Sequence, residues 1–234
     1  MIVREGLVFI LGGLVLTLIF IGSANRFNSY GLFALSLVFA LLTLFVTFFF
    51  RDPDRTCPEE PLVLVAPADG KIVDIKKIPH HPFIGGEAVK ISIFLSIVDV
   101  HVNRIPISGV VNYVKYIPGK FFAAFEDKAS DLNEQTEIGL TSSDGHKIAV
   151  KQIAGIIARR IVCRLKDNDS VTIGERFGMR RFGSRTDIIL PVDSRLNISL
   201  GDKVLGGQTI IGHLPDRTLT EDRDKAVRED NAKI

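Results

Sequence analysis

Hydrophobic and polar positions divide this chain into two unequal parts. Residues Gly6–Ala24 (GLVFILGGLVLTLIFIGSA) and Tyr30–Phe50 (YGLFALSLVFALLTLFVTFFF) carry no charged side chain. At the helical rise each run predicts a helix of roughly 30 Å, the thickness of a bilayer core. A cleaved leader would give way to soluble sequence after a small-residue site, whereas a second apolar run follows here. The polar stretch Asn25–Ser29 suffices only for a tight turn, so the two spans form a transmembrane hairpin with both ends on one side. Arg4, Arg51 and Arg55 flank those ends against Arg26 alone in the turn. That bias puts the remainder of the chain on the cytoplasmic face of the cell membrane.

Beyond Arg51 the period changes. Pro53 within RDPDR stops the second helix. PLVLVAPADGKIVDIKKI then reads as a strand, a turn at Asp69-Gly70, and a strand with apolar Ile72, Ile75 and Ile78. AVKISIFLSIVDVHVNRIPISGVVNYVKYI continues with β-branched runs broken by Pro and Gly. HKIAVKQIAGIIARRIVCRL favours strands, although Ile153–Leu165 also admits a helix. The charged tail after Asp216 has almost nothing to bury and is expected to be disordered or loosely attached. The expected layout is therefore a helical hairpin over 1–50, a β-rich domain over 51–215 and a tail over 216–234. DSVTIGERF (169–177) and DKVLGGQTI (202–210) share the pattern D-x-V-x-x-G-x-x-apolar. Together with APADGKI, that pseudo-repeat predicts a mainly β (α+β) fold: a sandwich or barrel of short strands of the kind seen in biotinyl and lipoyl carrier domains.

Composition changes this picture little. The 234 residues are 46% hydrophobic and 24% charged, a combination explained by the segregation of apolar residues at the start. A net charge of +2 with no block of basic residues argues against nucleic-acid binding. Cys57 and Cys163 lie far apart, in no metal-binding spacing, and read as reduced thiols. His80-His81 sits in a Pro-flanked stretch and is expected to be an exposed loop; no metal site is expected.

Three stretches carry candidate chemistry. Asp69 occupies a turn, where an aspartate is most often structural. Asp99 and His101, at i and i+2 on an expected strand, would share one face, as an acid–imidazole pair requires. Ser184 stands in RFGSRTD between two expected strands, where a Gly-Ser pair is ordinarily a hairpin corner. A serine becomes a nucleophile only when a base takes its proton, so the available set is Ser184, His101 and either Asp69 or Asp99. The residues around Ser184 do not form the G-x-S-x-G elbow of hydrolases. What Gly183 does offer is a carbonyl with no neighbouring Cβ, open to attack by Ser184 Oγ. Such an attack gives an ester and then chain scission.

FFFRDPDR, APADGKIV, FLSIVDVHVNRIP, GKFFAAFEDKASDLNEQTEIGL, QIAGIIARRIVC and ERFGMRRFGSRTDIILP occur in this order between about Phe48 and Leu214. Together they resemble the short, membrane-anchored form of the phosphatidylserine decarboxylase family. The resemblance implies a pyruvoyl enzyme, a lyase made as a proenzyme that cleaves itself between Gly183 and Ser184. The fragments 1–183 and 184–234 would remain associated, with a covalent pyruvoyl group derived from Ser184 as cofactor. It implies that Asp69 and His101 assist Ser184, with Asp99 a further carboxylate. It also implies a Schiff base with phosphatidylserine, loss of carbon dioxide, and release of phosphatidylethanolamine. Phe121 and Phe122, with Phe125, are candidates for facing lipid, and Asn133 for binding substrate. Two departures stand out: a second family histidine is replaced by Arg104, and a frequent family arginine by Gln135. A homodimer is left open. The rival readings are a carrier-like membrane adaptor without catalysis and a membrane-bound serine hydrolase; both keep the chain uncut.

Overall fold

The computed structural model describes residues 1–122, 132–155, 161–180 and 184–216. Within it the chain forms two compact units, one of residues 1–54 with 97–101, the other of residues 55–96 and 102 onward.

The first unit is a pair of helices, α1 (Arg4–Phe27) and α2 (Tyr30–Phe49). Asn28 leaves α1 in the left-handed region at φ 46°, and the Ser29 hydroxyl caps α2 at Leu32 N–H. Both helices are long and apolar enough to cross a membrane. Their burial runs inside out. Thr17, Ser36 and Thr43 are buried and bond carbonyls of their own helix at 2.7–2.8 Å. Leu11, Leu18, Leu41 and Leu44 are exposed. Gly13 lets the Thr43 side chain approach closely, and Phe20 stacks on Phe39 at 5.1 Å. Small and hydroxylated residues between helices with apolar residues outward is the arrangement suited to hydrocarbon surroundings.

The second unit is built of strands: β1 (Val63–Val65), β2 (Gly70–His81), β3 (Gly86–Leu95), β4 (Val102–Arg104), β5 (Gly109–Ile117), β6 (Gln135–Ser142), β7 (Lys147–Ile153), β8 (Ile161–Cys163), β9 (Ser170–Val171), β10 (Arg176–Arg180), β11 (Ser184–Pro191), β12 (Arg195–Leu196), β13 (Lys203–Val204) and β14 (Ile210–His213). Eight of them form one curled antiparallel sheet, a half-barrel in the order β13-β2-β3-β11-β7-β6-β5-β9. Two three-stranded sheets, β1-β14-β12 and β4-β10-β8, complete the unit. The helix admitted over 153–165 is not found where the chain is described: β7 ends at Ile153 and 161–163 is strand β8.

Alternation sorts the large sheet into two faces. Ile72, Ile91, Ile93, Ile138, Ile148, Val150, Ile188 and Leu190 line one face and form the main core with Phe177 and Ile211. On the other face Ala88, Ala149 and Ile189 make a smaller cluster.

The pseudo-repeat is a repeat of geometry as well as sequence. Asp169 and Asp202 each accept a backbone N–H from three residues back at 2.8 Å. Gly174 and Gly207 both take φ 77°, which side chains resist. Their N–H groups bond Ile105 O and Ala66 O, and the strands between pair with β5 and β2 respectively.

His81 corrects the expectation of an exposed histidine loop. It ends β2 and is buried beside Glu137, with its Nε2 3.8 Å from the carboxylate. The long β2–β3 ladder carries it inward, while His80 stays exposed. Burial lowers the His81 pKa, against the opposing pull of Glu137. Burial would raise the Glu137 carboxyl, but the Tyr113 hydroxyl bond and Lys151 at 3.1 Å outweigh it and hold the group below its usual range. Both groups thus bind fewer protons folded than unfolded, so acid destabilises the fold through each. For His81 the loss begins as pH falls below its ordinary value near 6.5. A His81→Phe variant should therefore lose less Tm than the parent between pH 7 and pH 5 in thermal melts; parallel curves would refute this.

Candidate active site

Ser184 opens β11, paired with Leu95 of β3. It does not sit at a hairpin corner. β10, the strand before it, belongs to the small sheet with β4 and β8, so the chain changes sheets between Arg180 and Ser184. Gly183 lies outside the described residues, as does Phe125. Ser184 is fully buried, and its hydroxyl has no hydrogen-bond partner among the described residues. A reactive group generated in place from this residue fits that setting: the oxygen is shielded and uncommitted, and the strand fixes its backbone.

Side chains flanking Ser184 divide by face. Thr186 follows on the core side, where it accepts from Asn103 Nδ2 at 3.2 Å. Asn103 also donates to Pro67 O at 3.2 Å and accepts from Gln152 Nε2 at 2.8 Å. On the opposite side, Arg185 donates to Asp187 at 2.7 Å and Ser92 at 2.5 Å, all three buried.

Asp69 is held by a chelate. Arg55 reaches its two carboxylate oxygens at 2.5 and 2.7 Å, and Gly206 N–H bonds one of them at 2.8 Å. The next residue must be glycine: a Cβ on Gly70, at φ 148°, would lie 2.2 Å from Phe94 O. A carboxylate so engaged is committed to Arg55 and the Gly206 N–H, which hold this turn in place.

His101 and Asp99 lie in the first unit. The segment 97–101 is a turn, not the expected strand, so same-face strand spacing does not relate them. Pro- and Gly-free β-branched sequence suggested the strand, but the turn is tied to the end of α2: Arg51 donates to Val98 O at 2.6 Å. The buried His101 ring packs on Phe49 with centroids 4.4 Å apart. Its Nδ1 lies 2.9 Å from the backbone oxygen of Asp99. A carbonyl can only accept, so in the neutral ring the proton sits on Nδ1 and the lone pair on Nε2.

Asn133 is buried and turned to backbone: Oδ1 accepts from Phe122 N–H at 2.8 Å, while Nδ2 donates to Phe122 O and Ala154 O. It thereby clamps the segment carrying Phe121 and Phe122 to the end of β7. Arg55, Arg51 and Gln152 escape sequence reasoning, since each reads as a surface or strand residue until its partner from a distant segment is known.

The phosphatidylserine decarboxylase family matches residues 42–212 of this chain. The chain belongs to that family. It is 47% identical over 213 residues to the phosphatidylserine decarboxylase proenzyme of Desulfotalea psychrophila, covering 91% of this chain and 96% of that protein. The proenzyme of the same name from Symbiobacterium thermophilum is 47% identical over 182 residues, 78% of this chain and 85% of that protein. That of Chlorobium phaeobacteroides is 50% identical over 173 residues, 74% and 80% of the two chains. The match takes in Asp69, Asp99, His101 and Ser184, so the candidate residues lie within the family's own extent.

Proposed function

We propose that this chain is a proenzyme that cuts itself between Gly183 and Ser184 and then decarboxylates phosphatidylserine to phosphatidylethanolamine at the cytoplasmic face of the cell membrane. The observation that carries this reading is the Ser184 hydroxyl, buried and unpartnered among the described residues at the start of a strand. Leaving such a group idle would cost about 1–3 kcal/mol. The names of the relatives, all proenzymes, support processing and substrate alike.

Attack of Ser184 Oγ on the Gly183 carbonyl carbon exchanges an amide for an ester, the hydroxyl proton passing through a base to the peptide nitrogen. Loss of the Ser184 Cα proton and of the Cβ–O bond then frees Gly183 as a carboxylate. Tautomerisation and one water release the Ser184 nitrogen as ammonia and leave a pyruvoyl group on residues 184–234. No oxidant is needed. That group supplies a carbonyl that takes up a primary amine and draws in the electron pair left by departing carbon dioxide.

The chain's own groups do the rest. His101, with its lone pair on Nε2, is the assigned base for the hydroxyl; once protonated, it returns a proton to the substrate carbon. Asp69 is proposed to assist Ser184 alongside it, with Asp99 a further carboxylate. Phe121 and Phe122, held by Asn133, are the proposed lipid-facing element, and the helical hairpin keeps the site at the headgroups. The matched turns of the two repeats support kinship with biotinyl and lipoyl carrier sandwiches at the level of the fold.

Purified protein should resolve on a denaturing gel as fragments 1–183 and 184–234, the smaller blocked to amino-terminal sequencing. Borohydride added with phosphatidylserine vesicles should abolish product formation. An uncut chain, or full activity after reduction, overturns the proposal.

A further inference from the structure

The core face of the large sheet carries a group of buried polar side chains around Ser184. There Thr186, Gln152 and Asn103 gather, all fully buried. Donor and acceptor roles in this group are forced. Pro67 O can only accept, so Asn103 turns Nδ2 towards it and Oδ1 the other way. Asn103 Oδ1 then requires a donor, which fixes Gln152 Nε2 upon it at 2.8 Å. Gln152 Oε1 must therefore point elsewhere, and it has no hydrogen-bond partner among the described residues. Gln152 faces Thr186 directly across the β7–β11 ladder, and Ser184 is the next residue of β11 on the same face. Diagonal neighbours of this kind lie within reach of a long side chain.

We infer that Gln152 Oε1 is the subsite for the amino group of the substrate, accepting one of its N–H donors as that nitrogen comes to residue 184. The inference rests on the decarboxylase reading above. The chemistry matches: a buried carbonyl oxygen held in fixed orientation selects a donor, and the substrate presents an amine at the atom that must reach position 184. A head whose nitrogen carries no N–H, as in phosphatidylcholine, would leave it unsatisfied. Asn103 and Thr186 act through Gln152 and are positioning residues.

Two variants test this. Gln152→Met removes the acceptor at nearly constant volume, and Gln152→Glu keeps an oxygen there while removing the N–H that binds Asn103. The Met variant should still cut itself into 1–183 and 184–234. Its KM for phosphatidylserine in mixed vesicles should rise roughly 10- to 100-fold, the worth of one hydrogen bond from a charged amine, with kcat little changed. Lipid captured covalently by cyanoborohydride, read by intact mass, should half-saturate at correspondingly higher lipid. The Glu variant, which keeps an acceptor but loses the N–H that aims it, should fall between the Met variant and the parent in both. Unchanged KM and capture in the Met variant would overturn the inference, as would an uncut Met chain or a Glu variant as impaired as Met. The parent is run alongside: if it neither cuts nor releases carbon dioxide, the decarboxylase reading itself fails, a result distinct from any of these.

Discussion

Replacing Ser184 by alanine should leave one polypeptide of 25.8 kDa where the proposed scission of the parent would give two fragments, and should abolish decarboxylation. Both effects follow from a single atom. Without Oγ there is no nucleophile beside the Gly183 carbonyl, and without scission no carbonyl group forms at residue 184. The same substitution should leave folding intact or strengthen it. The hydroxyl is buried and meets no hydrogen-bond partner among the described residues, so its removal relieves up to about 1–3 kcal/mol of unsatisfied polarity. Intact mass, product formation and Tm on the same preparation make the case. An uncut, inactive chain with unchanged or higher Tm is expected. A cut chain, or an uncut one with Tm well below the parent, would mean that the serine serves the fold and not the chemistry.

The sequence made the helices and most of the strands legible, for identifiable reasons. Two uncharged runs of bilayer length have few other uses, and β-branched stretches broken by Pro and Gly leave little but strands. The pseudo-repeat was visible because aspartate and glycine are required where backbone turns, and Asp169/Gly174 and Asp202/Gly207 indeed cap and turn alike. What stayed hidden depends on long-range partners. Arg55 counts in sequence as one more positive charge after a span, yet its guanidinium is spent on Asp69, fourteen residues on. His81 reads as loop because Pro79 and Pro82 flank it, but neither proline prevents β2 from running to its end. Asp99 and His101 look like strand neighbours because their surroundings are apolar; Arg51 and Phe49 instead bind that turn to the end of α2. Asn133 was a candidate for substrate, and its amide is engaged with backbone at Phe122 and Ala154.

Arg185 is the residue whose loss should most damage the fold around the site. It is 1% exposed, bonds Asp187 and Ser92, and lies 4.0 Å from Asp74. Arg185→Leu would leave the fully buried Asp187 carboxylate without its guanidinium, a change worth about 3–5 kcal/mol. For a chain of this size the Tm should fall by roughly 6–20 °C. Replacing both partners, Arg185→Leu with Asp187→Leu, removes the stranded charge along with its partner and should recover most of that loss, because an apolar pair of similar volume is often as stable as a buried ion pair. Activity should separate from stability in this cycle. Scission would make residue 184 a chain end, held by its ladders to β3 and by the grip on the residue beside it. The double variant should therefore cut normally yet turn over more slowly, as the loosened end samples unproductive positions. A single Arg185→Leu variant as stable as the parent would show that β11 is fixed by its ladders alone. A double variant no more stable than the single one would show that the arginine contributes through packing of its stem and not through charge.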